Sequence, residues 1–282
     1  MPGAILPGRW SNSKKNHFPP ILRGEALADM ALLWSAGGNQ VLQWTVPGDD
    51  TPTTSIADIS GEVSSLSWSK ASQALGVATK TGSVGIYSSA GARTASFMST
   101  HAETGASEEL LCCSFAAQSL SICTGGSEQV LKLWDCGSAR ITQAFAGHRA
   151  AITCCTFGDR DETIASGSTS GDVLVHNVAD PSSVVTVRNG RVDAERVNAT
   201  QFSPFRSHVL VSGGENAVVQ LWDTVKVSAA LSTLRTHTGA VTSLTFSPVN
   251  ELLLCSAGSD AQIVFYDINQ SKSIKALKCP SP

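Results

Sequence analysis

His237, Ser256, Asp260 and Tyr266 lie close together near the end of this 282-residue chain. A histidine, a serine and an aspartate are the parts of a nucleophilic hydrolase, in which the imidazole takes the hydroxyl proton and the carboxylate holds the imidazole in place. Eight cysteines offer a second chemistry, either a disulfide framework or a metal cage. Their contexts point elsewhere. Cys112-Cys113 falls in LLCCSF, Cys154-Cys155 in ITCCTF, Cys123 in SICTGG and Cys255 in LLCSAG, all apolar and strand-like. No CxxC pair and no Cys/His cluster has zinc spacing. These thiols are expected to be reduced, buried and small, as in an intracellular protein. Phosphate-cradling GxxxxGK[ST], HExxH and GxSxG are all absent. Gly125-Gly126 and Gly213-Gly214 read as tight turns, since a dinucleotide loop needs a helix after it. The chain is therefore expected to be no enzyme, and to hold no metal and no cofactor.

Composition sets what can position such residues. Hydrophobic residues make up 42% and charged residues 15%, enough for a buried core and too apolar for disorder. The net charge of -3 gives no general basic field, so neither nucleic acid nor an anionic membrane is expected as a partner. No apolar run is long enough to span a bilayer. Pro2, Pro7, Pro19 and Pro20 interrupt the start of the chain, so residues 1–27 read as a Pro-rich N-terminal arm and 28–282 as one repeat domain.

The repeat is the informative feature. A small-residue turn is followed by a short apolar strand ending on an aromatic residue or its stand-in: Trp44, Tyr87, Trp134, His176, Trp222 and Tyr266. The spacings are 43, 47, 42, 46 and 44 residues. Each unit opens with an alternating strand (VSSLSW, LLCCSF, ITCCTF, VNATQF, VTSLTF). A strand of small residues comes second (ALGVAT, SICTGG, TIASGS, VLVSGG, LLLCSAG), and a variable fourth strand closes the unit. A repeat of about 40–45 residues with four strands is a propeller blade. One blade buries too little to stand alone, whereas stacked blades cover both faces of each sheet. The Trp positions are therefore expected in the core.

The pattern resembles the WD40-repeat family over residues 30–278. Trp134-Asp135 and Trp222-Asp223 are the literal Trp-Asp pairs. The fold class this implies is all-β, a WD40 β-propeller with six visible repeats, expected to be a seven-bladed propeller lacking its last blade. The first repeat shows no clear inner strand before LLWSAG. The resemblance also gives His237, Ser256, Asp260 and Tyr266 a structural role, as a network of buried polar groups that locks adjacent strands. The fourth repeat departs from it: His176 replaces the aromatic residue, and Ser170 stands where Asp260 stands in the sixth.

A narrower resemblance lies in FSPVNELLLCSAGSDAQIVFYD (246–267) and IASGSTSGDVLVHNV (164–178), both similar to the GCP-WD family, which targets the γ-tubulin ring complex. It implies a scaffold at centrosome, spindle or other microtubule-organising sites, with γ-tubulin ring complexes, an augmin-type targeting complex and microtubules as partners. The fold alone also fits another kind of adaptor, such as a ubiquitin-ligase substrate receptor or a chromatin reader. Propellers of this type dock proteins mainly on the face made by turns that precede the inner strands and turns between the second and third strands. Lys80, Glu128, Arg149 and Arg191 are the candidate partner-binding residues there.

Overall fold

A computed structural model of the chain describes residues 21–27, 30–46, 51–102, 104–188, 195–227 and 229–279. The first blade comprises β1 (Ile21–Leu27), β2 (Met30–Gly37), β3 (Gln40–Val46) and β4 (Thr54–Ile56). The second has β5 (Val63–Ser69), β6 (Ala74–Thr79), β7 (Ser83–Ser88) and β8 (Arg93–Met98). The third has β9 (Leu110–Phe115), β10 (Ser121–Gly126), β11 (Leu131–Asp135) and β12 (Arg140–Phe145). The fourth has β13 (Ile152–Phe157), β14 (Thr163–Ser168), β15 (Val173–Asn177) and β16 (Val184–Arg188). The fifth has β17 (Val197–Phe202), β18 (Val209–Gly214), β19 (Val219–Asp223) and β20 (Ser232–Leu234). The sixth has β21 (Val241–Phe246), β22 (Leu253–Gly258), β23 (Gln262–Asp267) and β24 (Lys272–Lys278). Each blade is a four-stranded antiparallel meander. The described residues make six blades, and none of them is helical.

The expected arm ends differently from its sequence reading. Residues 1–20 lie outside the described residues, but Ile21–Leu27 forms β1 and pairs along its length with β2. This is the inner strand that the sequence of the first repeat does not announce. ILRGEAL has no alternation, because Arg23, Gly24 and Glu25 interrupt the apolar positions.

The second strands explain why small residues recur. β6 and β18 are buried at every position, because a sheet lies over both faces. At the end of β10 the register slips and Gly126 meets the chain entering β9. A Cβ at Gly126 would collide with the Glu109 carbonyl, and one at Gly214 with the Arg196 carbonyl. The aromatic residues sit on the third strands and tie them to the second. The indole N–H of Trp44 donates to Ser35 Oγ at 2.8 Å, that of Trp134 to Thr124 Oγ1 at 2.9 Å, and that of Trp222 to Ser212 Oγ at 2.8 Å.

Between blades the core is a series of slabs. Apolar clusters join the first blade to the second, and so on to the fifth and sixth. Inner strands add a polar clasp. The Phe115 N–H donates to Ser67 Oγ at 2.9 Å, the Cys113 N–H to Ser65 Oγ at 3.1 Å, and the Phe246 N–H to Gln201 Oε1 at 3.1 Å. Asn198 donates to the Val241 carbonyl at 3.1 Å. At the opposite end from the candidate docking face, the Asp161 carboxylate accepts N–H groups from Ala117, Gln118 and Ser119, tying the fourth blade to the third.

Candidate functional site

In the sixth blade β22, β23 and the approach to β21 bring the four network residues together. His237 Nε2 lies 2.6 Å from Ser256 Oγ, and its Nδ1 lies 3.0 Å from both carboxylate oxygens of Asp260. Ser256 Oγ donates to Tyr266 Oη at 3.3 Å. Burial works to raise the Asp260 pKa, but the Thr238 N–H, His237 and the Gln262 N–H outweigh it and hold the carboxyl below its usual value. The serine and histidine are buried in the sheet, so the hydroxyl faces a neighbouring strand rather than solvent.

The fourth blade keeps two members of this network and loses its charge. His148 Nε2 lies 2.7 Å from Ser166 Oγ, which lies 3.2 Å from His176 Nε2. Ser170 does not reach His148. It donates to Asp172 at 2.7 Å, and Asp172 accepts from Arg149 at 2.9 Å. The Nδ1 atoms of both histidines are buried without a hydrogen-bond partner among the described residues. Burial pushes His148 down to about 4, partly opposed by Asp172. It pushes His176 down to about 4 as well, with His148 adding to the effect. Both imidazoles are therefore neutral at pH 7.

The third blade has a different solution, which the sequence did not signal clearly. Lys132, 4% exposed, donates to Glu108 Oε2 at 2.9 Å, Ser99 Oγ at 3.2 Å and the Thr100 carbonyl at 2.7 Å, and also pairs with Glu128. The sequence clue is that Lys132 lies between Leu131 and Leu133 in a strand that is buried on both faces.

This cluster bears on the expected partner-binding residues. Lys80, Glu128 and Arg149 all fall at one end of the propeller, in the turns expected. Glu128 turns inward, however, toward Lys132 and the Ala102 N–H. Burial raises its pKa, and the Ala102 N–H and Lys132 more than offset this, leaving it lowered. Lys80 is exposed and pairs with Glu62 at 2.8 Å. Arg149 is exposed over buried Asp172. Arg191 lies outside the described residues. The three described residues sit in turns of the second, third and fourth blades and pair with different neighbours. Among the described residues, no group of three His, Cys, Asp or Glu side chains could hold a metal ion. Cys123 and Cys155 approach to 3.5 Å between sulfurs, and burial holds the Cys123 thiol well above its usual pKa.

Stacked meanders, aromatic third strands and buried His–Ser networks define a WD40-repeat β-propeller, a fold whose common use is as a non-enzymatic platform. The family profile described as "WD domain, G-beta repeat" matches residues 139–177 and 228–267. The chain is similar to Protein NEDD1 of Homo sapiens, at 29% identity over 220 residues, which is 78% of this chain and 32% of that protein. Protein NEDD1 of Bos taurus is 30% identical over the same shares. EARP-interacting protein 1 of Caenorhabditis elegans is 39% identical over 69 residues, 24% of this chain and 19% of that protein. The chain thus spans about a third of the length of the NEDD1 proteins it matches.

Proposed function

We propose that this chain is the targeting platform of a scaffold that brings γ-tubulin ring complexes to microtubule-organising sites, at the centrosome and on the spindle. The observation that carries it is the similarity to NEDD1 proteins over 78% of the chain. The GCP-WD-like stretches at 164–178 and 246–267 support it further. An augmin-type targeting complex and microtubules are the partners expected to dock on the propeller. Lys80, Arg149 and Arg191 remain candidates for that contact, and Glu128 is better placed as a support for Lys132.

The platform is further proposed to count a seventh blade against the outer face of the sixth. Support comes from what that face leaves uncovered among the described residues. In the fifth blade Val211, Val219 and Leu221 are buried beneath the sixth. Their counterparts Cys255, Ile263 and Phe265 are only half-buried. Thr242 and Thr245 stand exposed where Asn198 and Gln201 clasp the next inner strand in the blade before. Alkylation of Cys255 in a Cys279→Ser background tests this. A full-length product should protect Cys255 relative to residues 1–282, and equal reactivity in the two would refute the seventh blade.

The functional test is a pull-down from cell extract with the full-length product, beside residues 1–282 alone, probed for γ-tubulin complex components and the augmin-type complex. Retention of a microtubule-nucleation component by the full-length product is expected. If neither protein retains one, the targeting role falls and a general WD40 adaptor replaces it.

A further inference from the structure

From the second blade to the sixth, the turns joining first to second strands and third to fourth strands open at one end of the propeller, opposite Lys80 and Arg149. In the other blades the described turns are mostly small or polar, with single exposed apolar residues at Leu120 of the third and Val249 of the sixth. The second blade has Lys70-Ala71-Ser72-Gln73, and the fourth has Gly158-Asp159-Arg160-Asp161-Glu162. The fifth blade breaks the pattern. Its first such turn carries Phe205 and its second carries Val225, Val227 and Leu231, all exposed. Thr224 binds the two turns together, its N–H and Oγ1 both donating to the His208 carbonyl, at 2.8 and 3.2 Å. The equivalent turn of the sixth blade adds Val249, 88% exposed. Since β17 packs on β21, this turn lies beside that of the fifth blade.

Nothing in the fold requires bulky apolar side chains here. A turn at this end needs only to reverse the chain, as the serines, glycines and glutamines of the other blades do. A cluster of exposed apolar residues against that background marks an interaction surface. Its charge selects the partner. Arg206 and Lys226 are exposed within the same two turns, next to Phe205 and Val225. Asp223 is folded back, accepting the Val225 N–H at 2.8 Å and the Lys226 N–H at 2.9 Å. These N–H bonds lower its pKa, so it stays charged but spent on its own turn. The neighbouring fourth blade, in contrast, presents Asp159 and Glu162 beside Arg160 at this end, while its Asp161 and Asp180 are, like Asp223, engaged by N–H groups of nearby turns. Apolar contact with Arg206 and Lys226 beside it, and acidic residues set off at the flanks on the fourth blade and at Glu251, fits an acidic amphipathic segment and repels a basic one.

The geometry points to this end of the fifth and sixth blades as a docking site for an acidic, amphipathic segment of a partner protein. This rests on the platform role proposed above and gives that platform a second face, distinct from the one that holds Lys80 and Arg149. The segment lays its apolar side chains over Phe205, Val225 and Leu231 and its carboxylates toward Arg206 and Lys226.

The test places the photo-crosslinking residue p-benzoylphenylalanine at Val225 of the full-length protein in cell extract, with Gln118 at the same end of the third blade as control. Crosslinked peptides are identified by mass spectrometry. Crosslinks from position 225 should converge on one segment with net negative charge and regularly spaced apolar residues. They should fall at least tenfold with Arg206→Glu and Lys226→Glu and be absent from position 118. No crosslink, crosslinks scattered over unrelated sequences, a basic partner segment, or a crosslink to this chain's own sequence would each overturn the docking site. If the segment has the stated chemistry but belongs to no microtubule-nucleation component, the docking site stands and the targeting role is what fails.

Discussion

Acidification should destabilise this propeller through its fourth blade, at a pH where carboxylates are still ionised. His148 and His176 are buried on either side of Ser166, their ring centroids 6.1 Å apart. Both are held down to about 4 in the folded chain, against about 6.5 in an unfolded one. The folded state keeps the neutral imidazoles, so between these two values the unfolded chain binds the extra protons. Their stabilising contribution is complete above pH 6.5 and is lost as pH falls toward 4. At pH 5 the loss is roughly 2 kcal/mol per imidazole, about 4 kcal/mol for the pair. Against a typical total of about 5–15 kcal/mol this is a large share. Urea unfolding of wild type, His176→Gln, His148→Gln and the double variant at pH 8 and pH 5 measures it. Each variant is compared with itself at the two pH values, so the pH-independent cost of the substitution cancels. Each single variant should lose about half of the wild-type pH effect in this window, and the double variant most of it. A double variant with the full wild-type pH effect would refute the assignment.

Other perturbations follow from the same geometry. Lys132→Met leaves Glu108 and Glu128 facing each other without a cation and should lower stability by about 3–5 kcal/mol; adding Glu108→Gln and Glu128→Gln should restore much of it, read from the urea midpoint. Gly126→Ala drives a Cβ into the Glu109 carbonyl, so soluble expression and the cooperative thermal transition should be lost, whereas Gly105→Ala, with open space around it, should cost about 1 kcal/mol for its positive φ. Ser212→Ala orphans the buried Trp222 indole N–H and should cost about 1–3 kcal/mol in urea unfolding.

The blade order was legible because its signal is local and repeated. Each of Trp44, Tyr87, Trp134, His176, Trp222 and Tyr266 marks a third strand, and the alternating runs before them mark inner strands. β1 escaped because ILRGEAL carries no alternation. The His237–Asp260 network was legible because one blade contains all its members. Lys132 with Glu108 was not, since it joins residues of the second-to-third blade connection to a third strand. Glu128 shows the limit of reading a turn by its position alone: its place suggested a surface for partners, while a buried lysine four residues on draws it inward. The apolar turns of the fifth blade were visible in the sequence, but only alignment of equivalent turns in space shows that Phe205 and Val225 gather at one end of the propeller beside Val249 of the sixth.

The blades meet one shared demand with unlike chemistry. Where a second strand runs beneath a turn, a polar atom must be buried and satisfied. The sixth blade answers with His237 and an anionic Asp260, the third with Lys132 between two glutamates, and the fourth with neutral His148 and His176 and two imidazole nitrogens left unpaired. These answers respond differently to pH. The N–H groups around Asp260 hold its carboxyl below the usual value, so mild acid leaves it anionic, whereas protonation of His148 or His176 places a buried charge beside another imidazole. Acid should therefore open the ring at the fourth blade and spare the sixth. Hydrogen exchange at pH 5 should show β14 and β15 losing protection before β22 and β23, and the reverse order would mean that His148 and His176 find partners the fold does not show.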